Sequence, residues 1–256
     1  MAGELQDKVA VVTAAGSGMG RETSLRFAQE GARVVAIDID ADAGATLLDD
    51  IKADGGTAEF LTVDLTDLKQ IEETVAHIES THGRIDVLFN HVGAPGPRGF
   101  DFDADVWDFQ VNLNLRAPVF LTKLALPLMG EGGSLIFTSS VSGLIASRNS
   151  PVYAALKAGV IGYMRCIAAI GGPDGIRANA ICPGAVETPM LAKFFSAPDE
   201  SAEVLEERLA SFKLAVPLGR TCRPEEVADL VLFLASERSS FITGLAVPID
   251  GGYVAL

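Results

Sequence analysis

Lys8-Val9-Ala10-Val11-Val12-Thr13-Ala14-Ala15-Gly16-Ser17-Gly18-Met19-Gly20 is the stretch from which the fold is read. Residues 8–13 form a short apolar run closed by glycines, the pattern of a strand buried on both faces of a parallel sheet. After Gly20 the period changes. Leu25, Phe27 and Ala28 recur at helical spacing, and Gly31 stops the run. The segment from Thr13 to Gly20 therefore joins a strand to a helix through a glycine-rich turn. Backbone amides and a helix N-terminus converge at such a junction, which is where a pyrophosphate binds. Position 21 is Arg, so the spacing is not Gly-x-Gly-x-x-Gly. Taken alone, the turn is also what an ordinary structural loop looks like.

The same alternation continues along the chain. Strands are predicted over 33–38, 58–64, 85–90, 133–138, 176–181 and 245–250. Helices are predicted over 41–53, 68–82 and 224–235, with a long helix over 104–129 interrupted near Pro118, a helix bearing Tyr153, and helical material over 190–213. Strand and helix alternating throughout predict an α/β fold: a doubly wound, mostly parallel sheet of about seven strands with right-handed crossovers and helices on both faces. No repeat or linker divides residues 1–256, so one domain is expected. Residues 187–222 read as a lid over it.

Asp38 gives the glycine turn a second half. It closes the second predicted strand twenty residues after Gly18. A carboxylate there accepts hydrogen bonds from an adenosine ribose diol and repels a 2′-phosphate. Ile39 and Asp40 follow it, and Ser17 rather than a basic residue precedes Gly18. NAD is favoured over NADP.

Bulk properties narrow the partners. The chain has 256 residues, is 48% hydrophobic and carries a net charge of −14. Its mean hydropathy is +0.30 and its pI about 4.6. A nucleic-acid backbone would be repelled, and an anionic cofactor needs local backbone donors. Cys166, Cys182 and Cys222 are scattered, with no Cys-x-x-Cys pair, which argues against a disulfide framework or zinc site and suits a reducing compartment. No metal-ligand cluster is present. Residues 1–8 lack a basic leader pattern, and the longest uncharged run, 132–147, is too short and polar to span a bilayer. A soluble cytoplasmic protein is expected, with no membrane or nucleic-acid partner.

Chemistry is concentrated between Ser140 and Lys157. Tyr153 and Lys157 are four residues apart, so a helix places both on one face. A phenol titrates near ~10, and a neighbouring ammonium is expected to lower that value. The pair then suits acid–base work on an alcohol or carbonyl. Ser140, thirteen residues upstream, is positioned to hydrogen-bond the same substrate oxygen. A Tyr and a Lys at this spacing also occur as a plain surface pair, and the remaining motifs decide between the two.

In this order, the motifs resemble the short-chain dehydrogenase/reductase family over essentially the whole chain. The segment from Thr13 to Gly20 resembles that family's cofactor turn, Thr-Gly-x-x-x-Gly-x-Gly, with Ala14 replacing the first glycine. Asp64-Leu65 resembles the pair beside the adenine. Asn90-His91-Val92-Gly93 stands where Asn-Asn-Ala-Gly is usual. Asn114 falls at the family's helix-kink asparagine, with Asn112 as its rival. Ser140, Tyr153 and Lys157 match the other catalytic positions. The segment 179–190 resembles the one that cups the nicotinamide, and 244–252 the closing strand with Asp-Gly-Gly.

The resemblance implies a dinucleotide held by Thr13, Gly16, Ser17, Gly18, Met19 and Gly20. It adds Asp38 and Ile39, then Asp64 and Leu65, then Asn90, Val92 and Gly93. Tyr153 and Lys157 would meet the reactive end, with Pro183, Gly184, Val186, Thr188 and Met190 around it. Asn114, Ser140, Tyr153 and Lys157 would be catalytic: Tyr153 as acid–base, Lys157 on the phenol and ribose, Ser140 on the substrate oxygen, and Asn114 anchoring a water. The substrate would be a secondary alcohol or ketone. Residues 94–103, 143–151 and the lid would select it, and Met190, Leu191, Phe194, Phe195, Leu205, Leu209 and Phe212 either suggest a hydrophobic or alicyclic body or simply pack the lid on its own body. Arg148 would pair with an anionic substrate or with Glu187.

His77 and His82 read as solvated, and His91 as either a cleft residue or a loop-packing one. The helix over 152–169 is apolar all round, which with the resemblance points to a homo-oligomer, a tetramer. A 3-oxoacyl-carrier-protein reductase and a non-catalytic NAD-binding protein are the alternatives.

Overall fold

The computed structural model describes residues 3–195 and 201–255. Seven strands form one parallel sheet: β1 (Val9–Thr13), β2 (Arg33–Asp38), β3 (Thr57–Thr62), β4 (Val87–Asn90), β5 (Ser134–Thr138), β6 (Arg177–Pro183) and β7 (Ala246–Ile249). Their order is β3-β2-β1-β4-β5-β6-β7. The chain winds outward from β1 to β3, then returns to lay β4 beside β1. That reversal opens a crevice at the carboxyl ends of β1 and β4.

The helices are α1 (Gly18–Gln29), α2 (Ala41–Ala53), α3 (Leu68–His82), α4 (Ala104–Val111), α5 (Ala117–Ala125), α6 (Pro151–Gly171), α7 (Pro189–Phe195), α8 (Ala202–Leu214) and α9 (Pro224–Ala235). Alternate strand residues supply two cores. Val11, Val35, Leu88 and Phe137 face Ile71, Leu121 and Met164 of α3, α5 and α6. Ala10, Val12, Phe89 and Ile136 face Phe27, Leu47 and Val231 of α1, α2 and α9. The result is the three-layer α/β/α Rossmann arrangement that the alternation predicts.

Several boundaries differ from expectation for local reasons. α1 begins at Gly18, so Gly18 and Gly20 lie in its first turn. β3 ends at Thr62, which leaves Asp64 in the following loop, where its carboxylate accepts from the Thr66 N–H at 2.8 Å and the Thr66 hydroxyl at 2.7 Å. The last strand spans only Ala246–Ile249. The long helix is interrupted near Pro118, as expected, just upstream of it. A π-helical turn over Asn112–Arg116 joins α4 to α5, because Pro118 has no N–H for the carbonyl four residues back and the widened turn absorbs the defect. The helical material of the lid is two helices, α7 and α8; residues 196–200 of the expected lid lie outside the described residues.

His77 and His82 are not simply solvated. Their Nε2 atoms close on the two carboxylate oxygens of Glu59, at 3.1 and 2.7 Å, and tie α3 to β3. α6 is long and apolar enough to cross a bilayer by length and composition, yet it buries a face against the sheet through Leu156, Val160, Ile161 and Met164.

Candidate active site

The floor of the crevice is built by the end of β5 and the first turns of α6. Pro151 sits in the first turn of α6, where its missing N–H costs no helical hydrogen bond. Tyr153 and Lys157 then fall on the inner face, 8% and 2% exposed. Lys157 Nζ stands 5.6 Å from the Tyr153 ring centroid and donates to the Thr138 carbonyl at 3.1 Å. The Ser139 hydroxyl donates to the Lys157 carbonyl at 2.8 Å, fixing helix to strand. A side chain at Gly143 would collide with that contact, since its Cβ would lie 2.6 Å from Ser139 Oγ. Ser140 caps the 3-10 turn over Val141–Gly143, its Oγ accepting from the Ser142 N–H at 3.1 Å.

Burial sets the electrostatics here. It pushes the Tyr153 phenol up to about 12, and the hydrogen bond with Ser140 opposes that shift. It also pushes the Lys157 amine down to about 8. The expected lowering of the phenol by an adjacent ammonium is therefore not what this pocket produces. Desolvation outweighs it and weakens the cation itself.

Asn114 lies in the π turn and is fully buried, whereas Asn112 is half-buried. Its Oδ1 accepts from the Ala94 N–H at 3.2 Å and its Nδ2 donates to Gln110 Oε1 at 2.9 Å. Gln110 in turn donates to the Pro95 carbonyl at 2.9 Å. This places Gly93 against Lys157: a Cβ on Gly93 would lie 3.1 Å from Lys157 Nζ. Sequence reasoning missed Gln110 and Thr138. Neither belongs to a catalytic residue type, and only the shared contacts reveal them.

The glycine turn occupies the other end of the cleft. Ala14 has φ +52° and Gly18 φ +54°, so the replaced glycine position keeps a left-handed backbone. A Cβ on Gly20 would lie 2.1 Å from the Ala14 carbonyl oxygen, which only glycine permits. The Ser17 side chain makes no capping bond on α1. Ser17, Gly18 and Met19 line the cleft, as do Gly93, Tyr153 and Lys157. Pro183, Gly184, Val186, Thr188 and Met190 line it from β6 and the lid. Its volume is about 680 Å³.

The remaining expected cofactor residues do not line the cleft. Thr13 clamps the strand ends, its Oγ1 accepting from the His91 and Val92 N–H groups at 2.8 and 3.1 Å. Asp38 accepts from the Gly16 N–H at 2.9 Å and the Asp40 N–H at 3.1 Å. Ile39 is 66% exposed beside it. Leu65 and Asn90 are buried, Leu65 in the core and Asn90 donating to the Thr122 hydroxyl at 3.0 Å.

His91 belongs to the cleft. Its ring stacks on Phe89 at 5.0 Å and its Nδ1 pairs with Thr138 Oγ1 at 2.9 Å.

The family described as enoyl-(acyl carrier protein) reductase matches residues 13–254. The rat protein named dehydrogenase/reductase SDR family member 6 is 39% identical over 255 residues, 98% of this chain and 99% of that one. The 3-oxoacyl-acyl-carrier-protein reductase FabG of Thermotoga maritima is 38% identical over 253 residues, 98% of this chain and 99% of that one. A short-chain dehydrogenase/reductase structure from Burkholderia xenovorans, itself described as putative, superposes with a TM-score of 0.93 at 35% identity, covering 100% of this chain and 99% of that one.

The chain is a short-chain dehydrogenase/reductase.

Members of this family bind a nicotinamide cofactor, and the residues present fit one. The left-handed Gly18, the approach of Gly20 to Ala14 and the N-terminus of a twelve-residue α1 form a backbone cradle for a pyrophosphate. Across the cleft Gly93 leaves space where a side chain would meet Asn114 and Lys157.

Proposed function

We propose that this short-chain dehydrogenase/reductase transfers a hydride between a secondary alcohol or ketone and NAD. The observation that carries the reading is the burial of Tyr153 and Lys157 one turn apart on the cleft floor, with Ser140 beside the phenol. NAD, when bound, supplies the hydride acceptor. The chain supplies positions and protons. Tyr153 Oη takes the alcohol proton, or returns one to the carbonyl oxygen in reduction. Ser140 Oγ holds that same oxygen. Lys157 Nζ, fixed by the Thr138 carbonyl, exchanges protons near neutral pH and supports the phenolate as it forms. Asn114 acts through position, holding the 93–94 backbone against Lys157.

Asp38 supports NAD over NADP. Its carboxylate already accepts two backbone N–H groups, and about two lone-pair sites remain for a ribose diol. A 2′-phosphate would meet this negative charge with the apolar Ile39 as neighbour. The reductase relative from T. maritima keeps a second reading open, an acyl-carrier-protein reductase, and preference for NADPH over NADH would support it.

The outer face of α6 exposes Ala155, Ala158, Gly162 and Ala169, small residues on which a second copy can pack; with the resemblance this supports a homotetramer. One domain over 1–256 remains the simplest reading of the single sheet.

The test is turnover of a secondary-alcohol panel with NAD at alkaline pH. Tyr153→Phe is expected to lower kcat by about 10²–10⁴-fold while NAD still binds, read by protein fluorescence. Turnover that survives the substitution overturns the assignment. NAD binding with no turnover of any alcohol or ketone would favour a binding-only protein.

A further inference from the structure

We propose that the alcohol this enzyme takes carries a carboxylate, and that Arg148 holds it at the rim of the cleft. The proposal rests on the dehydrogenase reading above and narrows it to a hydroxy acid and the matching keto acid.

The charge of the cleft opposes that of the chain. The protein carries a net charge of −14. Among the described residues the cleft is nonetheless lined by Arg98, Arg148, Lys157 and Arg208, and by no Asp or Glu. An acidic surface around a cleft whose described lining is cationic focuses anions into the site.

The position of the arginines separates them from the pyrophosphate cradle. α7 runs along the cleft as a strap. Its N-terminal end sits on the glycine turn, where a Cβ on Gly18 would lie 2.9 Å from Thr188 Cγ2 and 4.0 Å from Pro189 Cδ. Near its other end Phe194 packs edge-on against the Tyr153 ring, with centroids 5.4 Å apart. The arginines gather at this tyrosine end. Arg98 donates to the Phe194 carbonyl at 3.4 Å and Arg208 to the Phe195 carbonyl at 2.7 Å. Both bonds secure the C-terminus of the strap.

Arg148 has a different environment. The Gly99 N–H donates to the Asn149 carbonyl at 2.9 Å, so the loops carrying Arg98 and Arg148 are joined next to both arginines. Arg148 is exposed toward the cleft five residues before Tyr153. It makes no hydrogen bond or ion pair among the described residues. Glu187, its rival partner in the sequence, instead accepts the Thr221 hydroxyl. A guanidinium fork that faces a cavity and lacks a carboxylate of its own matches a carboxylate ligand bidentately. Phe194, Met190, Leu191 and Phe212 line the same cleft and accommodate an apolar carbon body.

Two measurements test this. In turnover with NAD, hydroxybutyrate and hydroxycyclohexanecarboxylate are compared with their methyl esters. The acids are expected to exceed the esters in kcat/KM, and Arg148→Gln is expected to lower that preference by about tenfold or more, with Arg148→Lys restoring part of it. In calorimetry on the NAD-loaded protein, cyclohexanecarboxylate is expected to bind tighter than its amide, and Arg148→Gln to abolish the difference. Esters oxidised as fast as acids, or a carboxylate that binds no tighter than its amide, overturn the proposal while leaving the dehydrogenase reading intact. Arg148-dependent carboxylate binding with no alcohol oxidised does the reverse: it keeps the anion site and sinks the dehydrogenase.

Discussion

His91 and Lys157 share one anchor. The imidazole Nδ1 meets Thr138 Oγ1 at 2.9 Å, and the amine donates to the carbonyl of the same residue at 3.1 Å. Burial first, and the Lys157 charge second, push the imidazole down from 6.5 to about 3. His91 is therefore neutral throughout the working range and does not carry the reaction's proton. The unfolded chain takes up a proton on this histidine near pH 6.5, whereas the folded chain does so only near 3. The stability this group contributes is complete above 6.5 and falls as pH drops through that window. We expect His91→Asn to lose less melting temperature than the parent between pH 7 and pH 5. An NMR titration should show no His91 protonation above pH 5.

The phenol and the amine set the direction of the pH–rate profile. Tyr153 is pushed up to about 12 and Lys157 down to about 8, both by burial. Near pH 7 the phenol is a proton donor, the state that carbonyl reduction needs. Alcohol oxidation needs a proton acceptor, which forms only as pH rises. We expect kcat/KM for oxidation to climb from pH 7 toward pH 10 and that for reduction to be higher near neutrality. A flat oxidation profile across that range would contradict the assignment.

Ala14 holds a left-handed backbone, φ +52°, at the entrance to the glycine turn. That conformation costs an L-residue roughly 1–2 kcal/mol, partly offset because glycine loses more entropy on folding, by about 0.4–1 kcal/mol. Ala14→Gly is expected to stabilise the protein by about 0.5–1 kcal/mol, or about 2 °C in Tm for a chain of this size. Differential scanning calorimetry reads the shift, and an unchanged or lower Tm would show that the strain is relieved elsewhere.

The alternation of strand and helix, and with it a mostly parallel sheet covered on both faces, was legible because β1, β2 and β4 to β6 are short, nearly continuous apolar runs between turn signals while the helices are longer and periodic; the order of the strands was not. Ser140, Tyr153 and Lys157 were legible through spacing, since one helical turn puts the last two on one face. Pro118 announces a break in the helix and Asn114 matches the family's kink position, but that the break takes the form of a π turn over Asn112–Arg116 was not legible. The shifted phenol escaped notice because a charge pair is visible in sequence and burial is not. The partnership of Glu59 with His77 and His82 depends on how β3 lies against α3 across the layers, which short-range periodicity does not encode.

Gly93 tests whether the floor is as tightly assembled as its contacts imply. A Cβ there would stand 2.8 Å from Asn114 Oδ1 and 3.1 Å from Lys157 Nζ. Asn114 cannot retreat, because it is buried with its amide committed to Gln110 and its Oδ1 to Ala94. The backbone at 93 must then move away from Asn114, the amine gives way with it, and its bond to the Thr138 carbonyl is disturbed. Overpacking of this kind costs about 1–3 kcal/mol, so Gly93→Ala should lower Tm by about 2–12 °C. The effect on chemistry should be larger: a displaced Lys157 supports the phenolate less well, and kcat should fall by at least about tenfold, since misplacement by about 1 Å can cost 10²-fold. Displacement toward solvent also relieves the desolvation that holds the amine near 8, so the rise in the oxidation profile should move to higher pH. A Gly93→Ala enzyme that keeps the parent kcat and profile would show that Lys157 is not confined between Thr138 and Gly93.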